Sequence, residues 1–114
     1  MKRVLLVNNN KELEGVLETL LKLKGFESRS TQSSKDLVKI ISEYRPEVII
    51  LNLMMANRNP IEICEDIRSI GLFNCIKLIL FGSSKHFKRK LRNMNVLGFL
   101  SSPFAVDDLL YLLQ

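Results

Sequence analysis

A chain of 114 residues fits one domain around one core, and 46% hydrophobic with 25% charged residues is an ordinary globular balance outside the disordered range. Apolar runs such as Val48-Ile49-Ile50-Leu51 are too short to cross a bilayer, and the run behind Met1-Lys2-Arg3 is too brief for a signal peptide, so a cytoplasmic protein without a membrane segment is expected. The net charge of +5 is concentrated in Lys85, His86, Lys88, Arg89, Lys90 and Arg92, which points to a local basic face and not to a globally basic protein.

In chain order, Val4-Leu5-Leu6-Val7 reads as a buried strand. A helix is predicted over 11–24, with Leu13, Val16, Leu17, Leu20 and Leu21 on one face and Gly25 as its stop. Residues 26–30 alternate only weakly and suit an edge strand. Ser33 or Ser34 is the expected cap of a second helix running to about 44, with Leu37, Val38, Ile40 and Ile41 inward. Pro46 ends it and leads into the strand Val48-Ile49-Ile50-Leu51. Asn59-Pro60 starts a third helix, an Asn cap with Pro in the first helical position. It extends to about 70, with Ile63, Ile67 and Ile70 toward the core and Gly71 as its stop. Residues 76–81 and 96–100 are the fourth and fifth strands, followed by helices over about 84–94 and 105–113.

Five strict strand–helix alternations over 1–114 imply one α/β domain, a three-layer, doubly wound (βα)₅ parallel sheet. Strands 1, 3 and 4 are continuous apolar runs and belong in the centre, while strand 2 is the most polar and belongs at an edge. The order 2-1-3-4-5 satisfies this, and its reversal between strands 1 and 3 puts a crevice at their carboxyl ends. Asn8, Asn9 and Asn10 line that crevice after strand 1, and Asn52 after strand 3. Phe81-Gly82-Ser83-Ser84 and Ser101-Ser102-Pro103 follow strands 4 and 5. All four aspartates, Asp36, Asp66, Asp107 and Asp108, fall on predicted helices away from it. Cys64 and Cys75 form no C-x-x-C pair and lie far from the single His86, so two buried free thiols are expected and no metal site.

At these residues the sequence resembles the receiver domain of bacterial two-component response regulators, over essentially its full length, and the resemblance implies the flavodoxin-like fold. The family's first strand ends in two adjacent acids, here Asn8 and Asn9. Its phosphoacceptor Asp closes the third strand in a D-L-M-M-like motif, here Asn52-Leu53-Met54-Met55. Its switch Thr or Ser falls at Phe81 or Gly82, its Lys-Pro appears as Ser102-Pro103, and its aromatic switch position is Phe99. The framework matches and every chemically active position has changed. Mg²⁺ favours carboxylate oxygen, and Asn offers only a neutral carbonyl. An Asp carboxylate can attack phosphorus, whereas an amide is a very poor nucleophile. The resemblance thus implies a degenerate receiver, a pseudo-receiver that is a binding module and not an enzyme, with no cofactor.

Three surfaces remain to be weighed. The Asn cluster reads as a hydrogen-bonded pocket holding the loops. The sharper alternative is a small-anion or metabolite sensor in which Gly82, Ser83, Ser84 and Lys85 hold the ligand at a helix start. No G-x-G-x-x-G occurs, which speaks against a dinucleotide. A phosphoacceptor at Ser83 or Ser102 would lack an evident base. In the basic run, Phe87, Leu91 and Met94 face inward and Lys85, Lys88, Arg89 and Arg92 outward, either as a solvated face or as a dock for an acidic protein partner. The resemblance implies an output face made of that helix, the last strand and the last helix. With no Trp and few aromatics, nucleic acid is not expected. On the last helix Val106, Leu109, Leu110 and Leu113 form the inward stripe, with Tyr111 and Leu112 beside it as core fringe, partner dock or homodimer contact. The function expected is phosphorylation-independent protein–protein contact in bacterial signalling, as an adaptor or a dimerising module.

Overall fold

A strand covered on both faces needs apolar side chains throughout, and the run from Val48 to Leu51 is buried at every position. It belongs to β3 (Val48–Asn52), in a computed structural model that describes residues 2–33, 35–55, 59–70, 76–82, 96–101 and 103–114. The other described elements are β1 (Arg3–Val7), α1 (Lys11–Leu23), β2 (Glu27–Thr31), α2 (Leu37–Tyr44), α3 (Pro60–Ser69), β4 (Lys77–Gly82), β5 (Val96–Ser101) and α4 (Val106–Leu112). The helix predicted over 84–94, with its basic residues, lies outside the described residues, as do Ser34, Gly71, Cys75 and Ser102.

The five strands pair in parallel in the order β2-β1-β3-β4-β5. One apolar cluster joins Leu17 and Leu21 of α1 to Leu109 of α4 and to Leu113 just after it, through Leu6 and Ile50. The other joins Leu37 and Ile41 of α2 to Ile63 and Ile67 of α3, through Leu5 and Ile49. Alternate side chains of each strand feed opposite clusters, which makes three layers. Each fully buried Leu or Ile contributes about 1.5–3 kcal/mol, so both faces are needed to hold the sheet.

Helix ends follow local chemistry. Gly25, the predicted stop of α1, takes φ 86°; its N–H donates to Lys22 O at 3.1 Å, and the Phe26 N–H reaches Leu21 O at 2.9 Å. This is a Schellman cap, which wants glycine at the left-handed position. At α3, the Asn59 side chain accepts from the Ile61 N–H at 2.9 Å with Pro60 next, as the dipeptide predicted. The α2 start differs from expectation. Ser33 Oγ accepts from the Lys35 N–H in a turn of its own, and Asp36 is the N-cap without a side-chain bond. The same helix ends at Arg45, left-handed at φ 53°, one residue before Pro46, and the Arg3 guanidinium binds the carbonyls of Tyr44 and Arg45.

Two inward assignments were too generous. Val16 is 50% exposed and Val38 is 44% exposed, because each sits on the flank of its helix and the sheet covers only a narrow stripe. Ile70 is the half-buried C-cap of α3. Cys64 is a fully buried free thiol, its pKa pushed up to about 12 by burial first and Glu65 second. Strand β5 carries a bulge: Leu78 pairs with Val96 but Ile79 with Gly98, leaving Leu97 as the extra residue. Phe99 therefore turns toward the α2–α3 cluster and Leu100 toward the α1–α4 cluster.

Candidate functional site

Parallel pairing of β1 with β3 aligns Val7 with Leu51, so the chain leaves both strands side by side at Asn8 and Asn52. These two are the buried polar residues among those described, at 1% and 8% exposure. Burial without partners would be costly for an amide, and both are satisfied. Asn52 Nδ2 donates to Asn8 Oδ1 at 2.8 Å, and Asn52 Oδ1 accepts from the Met54 N–H at 2.8 Å. Asn8 Nδ2 donates to Asn10 O at 3.0 Å, and the Asn10 N–H returns to Asn8 Oδ1 at 3.3 Å. The pair closes on itself and ties both loops to the sheet.

This closure depends on the amide. Each Asn is donor and acceptor at once, whereas two ionised carboxylates are acceptors only and would repel. Neither group titrates, so the bonds persist unchanged with pH. Both functional atoms of Asn52 are engaged, and an amide is not a nucleophile toward phosphorus. Among the described residues no cluster of three His, Cys, Asp or Glu could hold a metal ion.

The other crevice residues separate into distinct roles. Asn10 is the N-cap of α1, its Oδ1 accepting from the Leu13 N–H at 3.1 Å. Its position directly before the predicted helix was the available signal for that role. Asn9 is exposed. Phe81 is buried and meets Phe104 edge-to-face at 5.3 Å between ring centres, so it serves the core. A Cβ on Gly82 would stand 3.1 Å from Leu53 Cβ and 3.4 Å from Met54 Cγ, at a backbone φ of 158°. The loop after β3 thus crowds the place of a Cβ at position 82, and the Leu53 N–H donates to Phe81 O at 2.8 Å to hold it there. Leu53 and Met54 carried no sequence signal for this contact. Phe99 is half-buried against the α2–α3 cluster.

Ser83, Ser84, Lys85, Lys88, Arg89, Arg92 and Ser102 lie outside the described residues. Of the two candidates on α4, Tyr111 is 74% exposed, whereas Leu112 is half-buried with its tip over Gly98, where a Cβ would come within 2.6 Å of Leu112 Cδ1. No helix among the described residues is long and apolar enough to cross a membrane.

Comparison with known proteins agrees with this frame. The family described as Response regulator receiver domain matches residues 4–114. The transcriptional regulatory protein GltR of Pseudomonas aeruginosa is 26% identical over 96% of this chain and 46% of its own length. Response regulator MprA of Mycolicibacterium vanbaalenii is 22% identical over 95% of this chain and 47% of its own. The chain spans about half the length of these relatives. Among solved structures, Vibrio cholerae chemotaxis protein CheY4 superposes with a TM-score of 0.89 at 21% identity, covering 100% of this chain and 97% of that one. The receiver domain of a Desulfovibrio desulfuricans diguanylate cyclase gives 0.80 at 19%, covering 99% and 90%. The fold is theirs, the sequence match runs through every described element, and the chain belongs to the response regulator receiver domain family of two-component signalling.

Proposed function

We propose that this receiver domain works without phosphorylation, as a pseudo-receiver whose role in the cytoplasm is protein–protein contact and not catalysis. The hydrogen bond between Asn52 and Asn8 carries the reading. It fills the phosphoacceptor position with a neutral, self-satisfied amide pair and leaves no carboxylate there to attract Mg²⁺ or attack phosphorus. The switch position falls at Phe81 or Gly82, and neither offers a hydroxyl through which a phosphoryl group would be sensed. Incubation with acetyl phosphate and Mg²⁺, or with beryllofluoride, will leave the intact mass and the amide spectrum unchanged. A Mg²⁺-dependent mass gain, or amide shifts centred on Asn8 and Asn52, would refute the proposal.

The partner we assign is an acidic protein surface, taken up by the face of the basic segment, β5 and α4. Six of the chain's basic or imidazole side chains fall between Lys85 and Arg92, and the exposed Tyr111 supplies an aromatic anchor on α4. Reversing Lys88, Arg89 and Arg92 to Glu will abolish binding of that partner and leave the melting curve in place. Binding to the wild type will weaken steeply with salt, since exposed charges are screened over about 10 Å at 0.1 M. Unchanged affinity in the triple variant would return the segment to a solvated face.

A further inference from the structure

The cap that stops α1 also shapes a cleft against α4. The Lys24 N–H donates to Leu20 O at 3.1 Å and the Phe26 N–H to Leu21 O at 2.9 Å, so the chain turns sharply between a cation and a ring. Phe26 and, on α4, Leu110 are half-buried and pack against the same apolar cluster. With the exposed Tyr111 they bed a cleft of about 500 Å³, and Lys24, Asp107 and Gln114 complete its lining. This has the size and make-up of a small-molecule site, an apolar bed with a few polar groups to orient what lies on it. Lys24 and Asp107 are both exposed, and no ion pair among the described residues engages either. A second cleft, of about 460 Å³, shares Phe26 but is otherwise lined by Glu18, Lys22, Glu27 and Ser28, with Glu18 already held by Ser30. It lacks the apolar bed.

We propose that the cleft between α1 and α4 binds a small zwitterion with an apolar body, the chemistry of a free aromatic amino acid. The body lies over Phe26 and Leu110 and against the Tyr111 ring. The ligand carboxylate meets the Lys24 ammonium, and the ligand ammonium meets the Asp107 carboxylate. A ligand of single charge would be drawn by one of these side chains and repelled by the other, and an uncharged one would answer neither. The bed rests on core residues and on a capped helix end, so binding orders little besides the Lys24 stem. The site shares no residue with the Asn8–Asn52 pair and stands whether or not the domain is phosphorylated.

Titration of the 114-residue chain with L-phenylalanine, followed by backbone amide spectra, tests the proposal. Saturable shifts centred on Lys24, Phe26, Asp107 and Gln114 are expected, with a Kd on the order of 1 mM for so small a ligand. Phenethylamine, which lacks the carboxylate, and 3-phenylpropionate, which lacks the ammonium, will each bind about threefold to tenfold more weakly. Asp107→Asn will weaken phenylalanine and phenethylamine and spare 3-phenylpropionate, whereas Lys24→Gln will weaken phenylalanine and 3-phenylpropionate and spare phenethylamine. Tyr111→Ala will weaken all three. Circular dichroism melts check that these exposed substitutions leave the fold intact. Absence of saturable shifts, shifts centred on other residues, equal affinity for the three compounds, or losses that do not follow the charge removed would overturn the proposal.

Discussion

Asn8→Asp and Asn52→Asp together will lower the melting temperature in metal-free buffer at neutral pH by on the order of 15 °C. The reason is the 2.8 Å amide contact, which would become two carboxylates with no donor between them. Two like charges relaxed to about 4 Å repel by about 4 kcal/mol at an effective dielectric of about 20, and each kcal/mol moves the midpoint of a domain this size by about 4 °C. The pH dependence has a definite sign. Repulsion raises one carboxyl pKa in the folded state above its unfolded value of about 3.9. The penalty is therefore absent below pH 4, grows as pH rises through the raised pKa, and then levels off. Wild type carries no such slope from this pair, because amides do not titrate. Mg²⁺ bound only by the folded variant will recover part of the loss. Equal melting of variant and wild type without metal, and no response to Mg²⁺, would show that the two side chains do not converge.

Gly82→Thr, which puts a hydroxyl at one of the two positions where the family's switch residue could fall, will destabilise the chain by about 1–3 kcal/mol. The new Cβ meets Leu53 Cβ at 3.1 Å, and that atom is fixed to the backbone and cannot rotate aside. The loop after β3 must move, and the Leu53 N–H to Phe81 O bond goes with it. Gly98→Ala is the informative contrast: its close contact is with the flexible tip of Leu112, which can turn away. Thermal melts will therefore show a larger drop for position 82 than for position 98. A Gly82→Thr protein as stable as wild type would mean that the loop yields freely.

The sheet was legible because burial on both faces forces a composition. The runs at Val4 and Val48 could be nothing but central strands, and the polar residues 27–31 nothing but an edge. The pocket was legible in position, since parallel pairing brings the ends of β1 and β3 together whatever residues stand there. Its internal division was not. Three consecutive Asn look alike in sequence, yet one is buried, one exposed and one caps a helix, because the chain turns through them. Val16 and Val38 show the limit of apolar periodicity, which marks a stripe and not how much of it the sheet covers. The closeness of Leu53 to Gly82 joins a loop and a strand end distant in sequence, and no local pattern encodes it.

The bulge at Leu97 bears on how the domain avoids adding a sixth strand. An open parallel sheet ends in two rows of unpaired backbone groups, each a template for another chain's strand. At β2 the defence is composition: Glu27, Ser28, Arg29, Ser30 and Thr31 offer an incoming strand little apolar surface. At β5 most residues are apolar, and the exposed Leu97 would suit contact with another chain's strand. There the defence is geometric, because an extra residue bends the strand and breaks the even spacing that continued pairing needs. Straightening β5 would leave an edge prone to edge-to-edge aggregation.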